Sequence, residues 1–445
     1  MNSIFIIVYS VLLVLIIDQL VRRNLKKFLI LFGILFSYSP LMQYVIFPEY
    51  KTFEGYRSVS FDRVMFEYVN TLILLFATNI FKTIKSKTGV FNRFRVLIFL
   101  WIIFNFLSVL NSINFDRSLN AFVIAILNPI LFARLFNNKL IIHNSLNFLI
   151  LFFCILISFN LGVKYLSIIF NISRGVSESF LIGYGAVEFG NLRGNSATNY
   201  LSFFLPLFLF NLKYLSNKNL KKLFNVVKIL LIFVFLTSGS RTGYLIIGLF
   251  IIYSFTAKKI SRKQVFGLTF LLSISLTAFT YFNETSFSNF ISERFTTKGS
   301  TVIDSATNDE RLILWNETIE EFRENNYRGC GISNYFLIFK KYGNAHNLYI
   351  NLMFERGILV FVLFVFITLF SIYICRKNIK LSIYKPVKLF FSCLLVGLIF
   401  YLIASFTGQS FLSISQTVHG FPSFVFTIFI FYPFYHFNEF YFNKK

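Results

Sequence analysis

The chain has 445 residues, 56% of them hydrophobic and 64 of them phenylalanine, with a mean hydropathy of +0.68. A soluble enzyme or binding domain has no core large enough for that composition, so the soluble classes are excluded. The net charge of +24 is not read as a nucleic-acid signature, because the basic residues gather in alternate connectors between apolar stretches near the ~20 residues that cross a hydrocarbon layer.

In chain order the apolar stretches predict helices at 3–17, 27–46, 65–81, 96–112, 119–133, 146–170, 199–212, 224–237, 243–256, 265–282, 346–374, 387–405 and 411–435. The expectation is an all-α polytopic bundle of about thirteen transmembrane helices, forming one integral membrane domain over 1–445 with a partly helical extracytoplasmic loop. The first apolar segment, Ile4 to Ile17, has no basic stretch before it and no small-residue cleavage site after it, so it reads as a retained helix. Basic clusters recur at Arg22 to Lys27, Lys82 to Arg95, Arg134 to Lys139, Lys213 to Lys222, Lys258 to Lys263, Arg376 to Lys388 and Lys444 to Lys445, which marks those connectors as cytoplasmic. Of the nineteen acidic residues, only Asp18 and Glu439 fall on that side. The N-terminus is therefore expected outside and the C-terminus in the cytoplasm, with the connectors 171–198 and 283–345 exposed outside.

The connector 171–198 carries Arg174, then a run of glycines among polar residues from Gly183 to Gly194, with Arg193 at the entrance to the next helix. Such a run indicates an irregular, tight surface. Ser238-Gly239-Ser240-Arg241-Thr242-Gly243 is too short for more than a hairpin between two helices, so Arg241 is expected at the membrane surface. There a guanidinium grips phosphate oxygens bidentately or snorkels to lipid headgroups. In the connector 283–345, Thr307-Asn308-Asp309-Glu310 resembles a capping box. Leu312, Trp315, Ile319 and Phe322 follow at helical spacing, predicting an amphipathic helix on the bundle mouth. Arg311, a cation in its first turn, opposes the helix dipole and points to a purpose other than helix stability.

His346 is the one histidine expected in an outer loop: His143 and His436 read as cytoplasmic, and His419 falls within the last helix. At a helix N-terminus the neutral imidazole is favoured, which suits either a general base or an interfacial helix cap. Asn347, Asn351 and Glu355 recur at i, i+4 and i+8 on one face of an otherwise apolar helix, a stripe that lipid does not solvate. Glu355, about 13 Å into that helix, needs a partner from another segment, because Arg356 points about 100° away. Glu355 is expected to be an anchor and not an acid catalyst. Four cysteines are too few for a disulfide framework, Cys330 stands alone in its loop, and the sequence has no metal-ligand cluster or nucleotide-binding glycine motif.

Taken together, Gly239-Ser240-Arg241-Thr242-Gly243, Arg311-x-x-x-Trp315, Gly329-x-Gly331-x-x-Asn334, and His346-Asn347 with Gly357 ten residues after Asn347 resemble the superfamily of Wzy-type O-antigen polymerases and WaaL-type O-antigen ligases. Phe189-Gly190-Asn191 to Pro206 also resembles its Gly-Asn loop, so the likeness spans about 174–405. The resemblance implies a glycosyltransferase of the bacterial inner membrane that needs no metal and no cofactor. His346 would take a sugar hydroxyl proton, and Arg174, Arg193, Arg241, Arg311 and Asn347 would hold glycan and pyrophosphate, with Glu355, Trp315 and Gly357 as structural support. The donor implied is an undecaprenyl-pyrophosphate-linked oligosaccharide in membrane lipid, with a chain-length regulator and a flippase as partners. Val360 stands where many ligases carry Gly, Thr or Tyr, and the loop at Arg193 lacks Asn-Pro-Asn, so polymerase is favoured over ligase. A flippase or other transporter is the rival from another class. No repeated half is visible, however, and the ionisable groups collect at the outer mouth instead of inside several helices.

Overall fold

The computed structural model describes residues 2–46, 61–81, 89–135, 202–206, 218–237, 241–256, 310–339, 345, 347–383 and 385–406. The helices expected at 146–170, 265–282 and 411–435, most of the one at 199–212, and the connector residues 171–198 and 283–309 lie outside this set. All regular structure among the described residues is helical.

Helices α1 (Asn2–Val21) and α2 (Leu25–Ile46) form a hairpin closed by Arg23, whose backbone is left-handed at φ 52°. Asp18, an acidic residue in a basic connector, accepts from Arg22 Nε one turn on at 2.7 Å. Helix α3 (Phe61–Ile80) packs on α2 and on α5 (Phe115–Leu135), and α4 (Gly89–Leu110) precedes α5. Phe28, Phe32 and Phe132 stack across α2 and α5.

Helix α5 is interrupted by a π turn at Val123–Leu127, followed by Asn128-Pro129. Proline lacks the N–H that an α turn needs, and its ring displaces the carbonyl four residues back, so the wider turn absorbs it. Asn128 there accepts from Thr71 Oγ1 at 2.7 Å, and Asn120 accepts from Tyr68 Oη at 2.6 Å, which ties α3 to α5 where both are apolar.

Helices α6 (Lys218–Thr237) and α7 (Arg241–Thr256) pair with each other, and α7 also meets α12 (Lys385–Ala404). Gly397 of α12 admits the backbone of Phe203: a β-carbon there would lie 2.2 Å from the Phe203 carbonyl oxygen. Helix α11 (Ile358–Leu381) packs on α12 and α4. It buries Val360, Phe364, Ile367 and Ile374 while exposing Leu359, Val362, Phe366, Leu369 and Tyr373 at spacings of three and four. An apolar stripe turned outward along a whole helix suits lipid as the solvent.

Among the described residues three helices are long and apolar enough to cross a membrane: Phe115–Leu135, Ile358–Leu381 and Val387–Ala404, with shorter apolar helices at Ile6–Val21, Tyr68–Ile80, Val96–Leu110 and Leu245–Thr256. The single helix expected over 346–374 is two. Helix α10 (Leu348–Arg356) ends at Gly357, whose φ of 86° and ψ of 167° belong to a region that essentially only glycine enters, and α11 begins at Ile358. Glu355 is therefore at the end of a nine-residue helix too short to span a bilayer, not part-way along a membrane helix.

Candidate functional site

The described residues between α7 and α11 build a small assembly with its own core. Helix α8 (Glu310–Glu324) and the one-turn α9 (Tyr335–Ile338) close with α10 around Leu314, Phe322, Cys330, Tyr335, Ala345 and Phe354. Tyr335, Phe339 and Phe354 meet with ring centroids 4.9–5.5 Å apart. The expected apolar face of α8 is rotated: Leu314, Thr318 and Phe322 are buried, Trp315 and Ile319 flank them, and Leu312 is exposed. Thr318 brings a polar residue into the interface, its hydroxyl bonding the Leu314 carbonyl and the Tyr335 hydroxyl.

Gly329-x-Gly331-x-x-Asn334 acquires a physical reason. The loop runs through a gap between the end of α10 and the turn from α4 to α5, where Cys330 N donates to Phe354 O and Gly331 N to Glu355 O, both at 2.9 Å. A β-carbon on Gly329 would meet the Glu355 carbonyl oxygen at 2.5 Å. One on Gly331, which sits at φ 101°, would meet Ser112 Cβ at 2.2 Å. Asn334 Nδ2 donates to Cys330 O at 3.0 Å and Ser118 Oγ at 3.1 Å, and Ser118 Oγ donates to Ile332 O. Burial pushes the Cys330 thiol well above its usual range, so the cysteine is a core residue.

Beneath this loop lies a buried polar knot that includes two residues missed from the sequence, Arg117 and Asn105. Arg117 Nε donates to Ser333 O, and its guanidinium lies 4.0 Å over the Phe336 ring. Arg356 Nη1 donates to Asn105 Oδ1 at 2.7 Å. Asn114 could have revealed Arg117: its side chain caps α5 by accepting from Arg117 N, so the helix starts at Phe115 instead of near 119. Glu355 is fully buried, and among the described residues neither carboxylate oxygen reaches hydrogen-bond geometry. Burial pushes its pKa up from 4.5 to about 7, against Arg356, the nearby Ser333 and Tyr335 amides, and Arg117. Arg356 directs its Nη1 to Asn105, and its positive charge is the largest of the charges acting against that shift; burial lowers its own pKa to about 10.

At the other end of α10, Asn347 is buried and caps the helix, its Oδ1 accepting from Tyr349 N at 2.9 Å and Ile350 N at 3.2 Å. Leu348 N donates to Ser405 O at 3.0 Å, and Tyr349 Oη to Leu402 O at 2.8 Å, which fastens α10 to the end of α12. Ala345 is fully buried; its carbonyl accepts from Trp315 Nε1 at 2.7 Å and its N–H donates to Asn351 Oδ1 at 3.3 Å.

Of the site residues expected from the sequence, the structure brings Trp315, Asn347, Glu355 and Gly357 into one assembly, with half-buried Arg311 one turn before Trp315 on α8. Arg241 is the first residue of α7. Arg174, Arg193 and His346 lie outside the described residues.

No curated protein and no solved structure matches the chain. Residues 226–365, which run from α6 through the loop assembly into α11, match the model of the O-antigen ligase family, and this match supports the resemblance to the O-antigen ligase and polymerase superfamily.

Proposed function

We propose that the protein polymerises lipid-linked oligosaccharide repeat units, transferring a glycan from polyprenyl pyrophosphate to a sugar hydroxyl on the outer side of the bacterial inner membrane. The observation that carries this reading is the family match over 226–365 coinciding with a hydrogen-bonded assembly that fastens both neighbours of His346. In the proposed step His346 accepts the hydroxyl proton as the hydroxyl oxygen bonds the anomeric carbon. The bond from that carbon to pyrophosphate breaks, and the leaving group keeps the electron pair. Arg193, Arg241 and Arg311, with Arg174 and Asn347 contributing to glycan contacts, hold the developing charge. Pyrophosphate release supplies the driving force, so the step needs no nucleotide and no metal. About thirteen crossings place residues 171–198 and 283–345 outside as the site's mouth, with the N-terminus outside and the C-terminus in the cytoplasm. A flippase supplies the donor, and a chain-length regulator sets the polymer's size.

The ligase reading shares the donor and differs in the acceptor, lipid A-core, and the family match is common to both. Glycan analysis of a strain lacking the gene separates the two. Loss of a polymerase leaves glycans with a single repeat, whereas loss of a ligase leaves long chains on the lipid carrier. Single units trapped on the cytoplasmic leaflet would instead indicate a flippase and overturn both.

A further inference from the structure

The peptide just before His346 is gripped from two elements at once. Trp315 Nε1, from α8, donates to the Ala345 carbonyl at 2.7 Å, and Asn351 Oδ1, from α10, accepts from the Ala345 N–H at 3.3 Å. Both backbone groups of one fully buried alanine are thus satisfied by side chains, although ordinary turns bond backbone to backbone. On the far side of His346, Asn347 is fixed as the cap of α10, and Leu348 N is bonded to Ser405. A general base works only if its ring is held near the productive geometry, and a misplacement of about 1 Å costs on the order of a hundredfold in rate. Arg311 stands four residues before Trp315, hence on the same side of α8 and about 6 Å along its axis.

We infer that Trp315 and Asn351 are positioning residues for His346, and that α8 acts as a bracket which fixes the spacing between the histidine segment and the phosphate-binding Arg311. The inference rests on the catalytic reading of His346 given above. It assigns the indole N–H a task that the apolar face of α8 does not require, since Leu314 and Phe322 already seat the helix. Because the two side chains hold the Ala345 peptide and not the substrate, their loss lowers turnover and leaves the KM for the donor unchanged.

The test is a double-mutant cycle on the full chain in lipid nanodiscs, using as probe the polyprenyl-pyrophosphate glycan extracted from a strain lacking the gene. Trp315→Phe keeps the aromatic packing and removes the donor; Asn351→Leu keeps the volume and removes the acceptor. Each is expected to lower kcat by about ten- to a hundredfold with KM unchanged, and to cause no further loss in a His346→Ala background. A loss of the same factor in both backgrounds means that the residues only stabilise the fold, and it overturns the inference. Unchanged kcat in both single variants overturns it as well, while an inactive His346→Ala keeps the catalytic reading intact. Full activity of His346→Ala sinks that reading first, and the positioning role with it.

Discussion

Helices α10 and α11 are consecutive, with only Gly357 between them, yet they follow opposite rules. Helix α10 buries Asn351, Glu355 and Arg356 and is capped by buried Asn347, whereas α11 turns Leu359, Val362, Phe366, Leu369 and Tyr373 outward and buries an apolar face with few polar groups. One glycine marks the change. Before it, polar side chains are buried against a folded loop; after it, helical hydrogen bonding alone satisfies the backbone. The lesson is that a polar stripe on an apolar stretch does not have to line a membrane cavity. It also arises where a short helix packs into a folded loop assembly.

The contrast breaks most sharply at Arg356. Arg356→Leu removes the strongest charge opposing Glu355 burial and strands Asn105 Oδ1. It should cost about 3–5 kcal/mol of stability at pH 8, measured by thermal unfolding in nanodiscs, and less at pH 5.5, where the carboxyl is protonated.

Glu355 itself gives a pH signature. Its pKa in the folded chain, about 7, lies above the ordinary 4.5, so the folded state holds the proton more tightly between those values. Its contribution to stability is complete below about pH 4.5 and declines as pH rises through 7, by about 3 kcal/mol in all. Glu355→Gln should flatten that decline, and a variant whose stability still falls over this window would place the titration elsewhere.

Gly357→Ala should cost about 1–3 kcal/mol, because the added β-carbon meets Gly329 N at 3.1 Å and the backbone conformation is strained for any other residue. The same change at Gly248 of α7, which has open space around it, provides the comparison. Phe366→Leu on the lipid-facing stripe of α11 should shift stability by no more than about 0.5 kcal/mol.

Much of the architecture was legible in the sequence because hydrophobic length and periodicity report helices directly. The ends of α2, α7 and α12 fall within two residues of expectation. The break at Gly357 was not, since the residues on both sides of it form helix and the segment it meets, at Gly329, comes from an earlier part of the chain. At the site, Trp315, Asn351 and Glu355 stood out by spacing and polarity. Arg117 and Asn105 did not: Arg117 falls in the connector before the helix expected at 119–133, Asn105 falls within the helix expected at 96–112, and the Ser333 carbonyl and Arg356 guanidinium they meet lie more than two hundred residues away.

The central claim, a general base presented by a hydrogen-bonded loop assembly, is tested most directly by His346→Ala assayed for glycan transfer at matched levels of inserted protein. The account predicts a fall in turnover of about 10²–10⁴, with thermal stability within about 1 kcal/mol of the parent chain. Glycan of normal length and amount from the His346→Ala protein would contradict it.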